Sequence, residues 1–107
     1  MATNDHSVLT LPKNTASALR ELTGESRPDV ALLLMLRNAI AYEMEQVAAE
    51  ARAFENKYQM TFEEYRRRWE FEDHPEDYPW ETERDYLEWE ALVTRKNRLG
   101  DIHNWLV

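Results

Sequence analysis

The sequence predicts a mainly α-helical protein in which a short N-terminal strand and two helices form a dimer, followed by a helical C-terminal extension. Three observations predict it. Residues 7 to 11 read Ser-Val-Leu-Thr-Leu, with Leu9 and Leu11 on one face of an extended segment and Val8 and Thr10 on the other. A short helical pattern then closes on Gly24, and a much longer one opens after Ser26 and Pro28. A lone strand has no partner in its own chain, so its backbone donors and acceptors call for a second copy. The alternative for residues 7 to 11 is an extended arm without a ladder.

Each element has a local reason. Pro12 ends the strand. Ala16, Leu19 and Leu22 recur at helical spacing between Lys13 and Thr23, and Gly24 suits a left-handed helix end. Ser26, Pro28 and Asp29 are start signals: a capping hydroxyl, a first-turn proline and an acid that complements the helix dipole. From there Leu33, Leu36, Ile40, Met44, Val47, Ala51, Phe54 and Tyr58 form a near-heptad seam, with no Gly or Pro inside, so residues 28 to 58 are expected as one helix. Thr61 and Glu64 make a capping box for a third helix over about 62 to 72. Pro75 and Pro79 break the chain into a loop. Thr82 to Asp85 restart a helix with Tyr86, Trp89, Leu92, Val93 and Leu99 on roughly one side, and Gly100 is expected to end or bend it.

Charge divides the 107 residues into two regions. Residues 1 to 60 carry six Lys/Arg against eight Asp/Glu, and 61 to 107 carry seven against thirteen, so most of the net charge of -8 lies in the C-terminal part. This reads as a dimerisation region over 1–60 and an acidic, aromatic, helical partner-binding region over 61–107. The acidity disfavours loose polyanion binding and an anionic membrane surface. The longest apolar run, residues 30 to 36, is seven residues, too short to span a bilayer and too far along the chain for a secretory core. The absence of cysteine removes disulfides, thiolate nucleophiles and Cys-based zinc sites, and a cytoplasmic location is the expectation.

No constellation names a reaction. The three histidines, His6, His74 and His103, lie at no i, i+3 or i, i+4 spacing from one another, and Asp101 beside His103 reads as a polar helix end rather than a metal site. Glu63, Glu64, Glu88 and Glu90 are explained by capping and solvated faces. Two isolated glycines make no phosphate loop. The basic run Arg66-Arg67-Arg68 is flanked by acids four residues away, which favours pairing along the helix over nucleic-acid contact. The expectation is therefore no enzyme, no cofactor and no metal. Trp69, Phe71, Tyr78, Trp80, Tyr86 and Trp89 crowd around the proline loop either as a small core or as interface anchors.

Residues 8–12, the short helix, Gly24 to Ser26 and the long second helix together resemble the ribbon-helix-helix fold of bacterial repressors and antitoxins, over roughly residues 7 to 45. Residues 54–65 and 85–92 are similar to the acidic helical C-terminal part of antitoxin-like proteins of prokaryotic toxin–antitoxin pairs. The unpaired strand and the long seam call for a dimer or higher oligomer held by Leu9, Leu11, Leu33, Leu36, Ile40, Met44 and Val47, and the resemblance implies a dimer too. It also implies operator DNA read by the strand from His6, Val8 and Thr10, with Lys13, Ser26 and Arg27 anchoring phosphates at the second helix's N-terminus. The base-reading Arg, Lys, Asn or Gln of such strands is missing here. The function expected is an antitoxin-like or accessory protein that binds a basic protein partner, such as a toxin nuclease, through Trp69, Tyr78, Trp80, Tyr86 and Trp89. The competing expectation is a stand-alone helical scaffold with no DNA role.

Overall fold

The structure is a computed structural model that describes residues 10–71 and 79–106. Its elements are four helices, α1 (Lys13–Thr23), α2 (Pro28–Tyr58), α3 (Phe62–Phe71) and α4 (Pro79–Trp105). Among the described residues there is no strand, which overturns the predicted N-terminal strand and with it the ribbon-helix-helix architecture, while the mainly α class stands. Thr10 and Leu11 have no regular structure, and residues 7–9 lie outside the described ones. The physical reason lies at Pro12, whose carbonyl accepts from the Ala16 N–H at 3.0 Å and so becomes the first acceptor of α1. Of the predicted strand only Thr10 and Leu11 are described, and directly after them the turn that opens at Pro12 carries the chain into helix.

The helix boundaries follow local chemistry. At the end of α1, Gly24 adopts φ 77° and its N–H donates to the Arg20 carbonyl at 2.8 Å, a left-handed cap that glycine enters without a Cβ penalty. The first turn of α2 closes on the Arg27 carbonyl, which accepts from Ala31 at 2.9 Å; Arg27, rather than Ser26, occupies the cap position. Thr61 caps α3 as its sequence signature requires: its hydroxyl oxygen accepts from the Glu64 N–H at 3.2 Å, and the hydroxyl lies 3.3 Å from the Glu64 carboxylate. The fourth helix departs from expectation at both ends. It starts at Pro79, where a proline in the first turn loses no hydrogen bond, and it runs through Gly100 to Trp105.

The chain divides into two compact units, and the boundary falls inside α2 between Ala39 and Ile40. In the first, which ends at Ala39 and includes Leu106, Ala31 is the buried residue of α2; Leu33 is half-buried, and Leu22 and Leu36 are exposed. In the second, Ile40 to Trp105, the seam of α2 supplies buried Ile40 and Val47, half-buried Met44, and the Phe54 and Tyr58 rings. Those rings stack on Trp89 of α4 at 5.6 and 6.0 Å between centroids, so the C-terminal half of the seam is satisfied within one chain.

Candidate partner-binding surface

Trp89 is the centre of the second unit, with 1% of its surface exposed. Phe62 meets it edge-on at 5.4 Å and Tyr65 lies 5.2 Å away, so three helices converge on one indole. Tyr86, three residues earlier on α4, extends the cluster outward and stacks on Trp69 of α3 at 5.3 Å. Burial is the main cause that raises the Tyr86 hydroxyl above its ordinary pKa, with Glu90 adding to it. Beside Trp89 runs a groove of about 300 Å³, floored in part by Val47, Ala51 and Leu92.

The cluster is locked by a polar contact that sequence reading missed. Asp85 is 3% exposed, accepts from the Lys57 ammonium at 2.5 Å and also accepts from the Tyr58 hydroxyl. Lys57 reaches Glu81 as well, at 3.5 Å, and the Arg84 Nε lies 4.0 Å from the second Asp85 oxygen. Burial pushes the Asp85 carboxyl up, but the hydrogen bonds from Lys57 and Tyr58 and the charges of Lys57 and Arg84 outweigh it and hold the pKa below its ordinary value. The reciprocal effect raises Lys57, chiefly through its hydrogen bond to Asp85. Tyr58 is driven well above its ordinary value, first by burial and then by Asp85, so it remains a neutral donor. This network ties the last turn of α2 to the first turns of α4 through donors the protein itself supplies, an arrangement suited to rigidity rather than proton transfer. The available signal was register, since Asp85 stands four residues before Trp89 and therefore shares its face.

The predicted partner residues divide by exposure. Trp89 and Tyr86 belong to the packed cluster, Trp69 is 37% exposed at its margin, Trp80 is 66% exposed, and Tyr78 lies outside the described residues. Phe71, at the end of α3, is 78% exposed. The predicted dimerisation residues are likewise divided: Ile40 and Val47 are buried, Leu11, Leu33 and Met44 are half-buried, Leu36 is exposed, and Leu9 lies outside the described residues. Of the predicted DNA contacts, Val8 is not among the described residues, while Thr10, Lys13, Ser26 and Arg27 are exposed. Arg27 pairs with Asp29 at 2.7 Å, which offsets its charge where a phosphate would dock, and the same contact lowers the Asp29 carboxyl. Arg66 pairs with Glu70 at 3.3 Å along α3, an internal pairing of the basic run, though through a different pair from the expected Glu63 with Arg67 and Glu64 with Arg68.

Among the described residues no group of three or more His, Asp or Glu is arranged to hold a metal ion. None of their helices is long and apolar enough to cross a membrane. Comparison with protein-family models, with curated proteins and with solved structures gives no match.

Proposed function

We propose that the protein is a non-catalytic, cytoplasmic interaction protein, antitoxin-like in role, that binds a basic protein partner through the acidic aromatic surface of its C-terminal half. The observation that carries this reading is the pair Trp69 and Phe71, two large side chains left 37% and 78% exposed on α3 beside a rigid aromatic core. Aromatic anchors of this kind contribute most of the energy of an interface when they enter a partner's pocket. They lie in the segment with thirteen acidic and seven basic residues, so the long-range field favours a cationic partner and speeds its approach. Tyr86 backs Trp69, which lowers the entropy lost when that ring docks.

The scaffold reading has its own support in Trp89, whose burial makes that member of the aromatic group core rather than interface. The two readings part at Trp69 and Phe71. The test is co-purification with a tagged chain, identification of the bound protein, and titration of that protein against Trp69→Ala and Phe71→Ala. A loss of about tenfold or more in affinity with an unchanged melting temperature, together with weaker binding at higher salt, supports the interaction reading. Unchanged affinity in both variants, or no basic partner, leaves the scaffold.

A further inference from the structure

The outer face of α4 carries a second heptad pattern, opposite the one that buries Trp89. Starting at Trp80 and stepping alternately four and three residues to Trp105, every position is exposed. Its apolar members are far from covered: Trp80 is 66%, Leu87 55% and Trp105 65% exposed. Both tryptophans are clasped by an arginine of the same stripe, Arg84 lying 5.1 Å from the Trp80 ring and Arg98 4.8 Å from the Trp105 ring. Charge along the helix is polarised. Leaving out buried Asp85, residues 79 to 91 hold four acids and one arginine, whereas 92 to 105 hold three Arg/Lys and one aspartate.

We propose that this face of α4 pairs antiparallel with the same face of a second copy of the chain. A polarised helix meets its own complement only when turned end for end, and a two-fold axis does that. The spacing then selects one register, in which the numbers of facing residues sum to a constant. Trp80 faces the second copy's Trp105 at each end, an aromatic pair. Arg84 faces Asp101, an opposite-charge pair, and Leu87 lies against the aliphatic stem of Arg98. Ala91 and Thr94 face each other at the centre, where small side chains let the two helices approach. On the flank Glu88 comes beside Arg95 of the other copy, exchanging for or adding to the 3.6 Å contact that Arg95 makes with Glu43. The parallel alternative sets Arg84, Arg98 and Asp101 each against its own copy, like charge on like charge in three layers. At 27 residues the helix is about 40 Å long, so all of these layers are reached at once.

This surface is distinct from Trp69 and Phe71, and the pairing stands whether or not a basic partner exists. Sedimentation velocity on the full chain is expected to show a dimer at about 100 µM. Asp101→Arg opposes Arg84 of the other copy and is expected to weaken the dimer about tenfold or more, while Asp101→Arg with Arg84→Glu reverses the pair and restores it. The register is read by cross-linking, which the cysteine-free chain makes clean. Leu87→Cys and Arg98→Cys proteins, oxidised separately, are expected to remain uncross-linked and to give a covalent dimer only when mixed. Circular dichroism confirms that each variant keeps its helices. A monomer at that concentration, a dimer indifferent to Asp101→Arg, or cross-links formed equally well by each cysteine variant alone overturns the proposal.

Discussion

Replacing Lys57 by methionine tests whether the buried Asp85 carboxylate is held by its counter-charge. Methionine keeps most of the aliphatic volume and deletes the ammonium that donates to Asp85 at 2.5 Å. Breaking a fully buried ion pair costs about 3–5 kcal/mol, whereas a fully exposed one is worth about 1 kcal/mol or less. Here one partner is 4% exposed and the other 46%, so water already screens the lysine side of the contact. A cost between the two limits, about 2 kcal/mol at pH 7, is the expected result. Its pH dependence identifies the cause. Because the folded-state pKa of Asp85 lies below its ordinary 3.8, the pair contributes stability that is present above that value and lost as pH falls through the lower folded value. In Lys57→Met the hydrogen bond and the charge of Lys57 are gone while burial stays, so the carboxyl rises from its depressed value and protonation relieves the variant. Urea denaturation of both proteins should therefore give stabilities about 2 kcal/mol apart at neutral pH that converge as pH falls through the variant's carboxyl pKa towards the lower wild-type one. Adding Asp85→Asn to Lys57→Met should recover part of the loss, since a neutral amide still accepts from Tyr58 without stranding a charge. A difference below about 0.5 kcal/mol at pH 7, or one independent of pH, refutes the account.

Gly100→Ala should raise stability by about 0.5–1 kcal/mol, because the residue sits inside α4 and a Cβ there meets nothing within 4 Å; a lower melting temperature would show that the site needs glycine. Trp89→Ala should cost about 5 kcal/mol, the upper end for a buried aromatic, since the neighbouring groove already leaves side chains on that flank without partners to close the gap. Retained cooperative unfolding with a small loss would place the core elsewhere.

Sequence periodicity carried the helices well, and the reasons are visible at particular residues. Both ends of α2 coincide with the expected ones, because a first-turn proline at residue 28 and a seam reaching Tyr58 leave little freedom over 31 residues. Thr61 and Glu64 located α3 by a bond pattern that four residues can specify alone. The N-terminal strand failed because its case rested on a few alternating residues and on a partner that lay beyond local pattern, while Pro12 was already committed to capping α1. Gly100 misled for a related reason. In the middle of a helix glycine lowers stability without stopping the chain, and the apolar residues after it, Ile102 half-buried among them, allow α4 to continue.

The site was less legible than the fold, and Asp85 shows why. Read locally, an aspartate in the first turns of a helix complements the dipole and faces water, and only its register with Trp89 argues otherwise. Its burial comes from residues 27 and 28 positions earlier, Tyr58 and Lys57, a pairing that exists only after α2 and α4 have been brought side by side. The same distance effect sorts the aromatics. Trp80 and Trp89 are equal in composition and close in sequence, yet nine residues on a helix of 3.6 per turn is two and a half turns, which turns one indole into the core and the other away from it. Exposure of Trp80 thus follows from the packing of Trp89, and the arginines clasping Trp80 and Trp105 give the outward face a chemistry of its own. A helix that buried only one face would place Lys, Glu and small polar residues on the other. That α4 instead sets two tryptophans and a leucine on a heptad stripe of its solvent side is the feature for which packing among the described residues supplies no cause, and which the proposed pairing with a complementary face would explain.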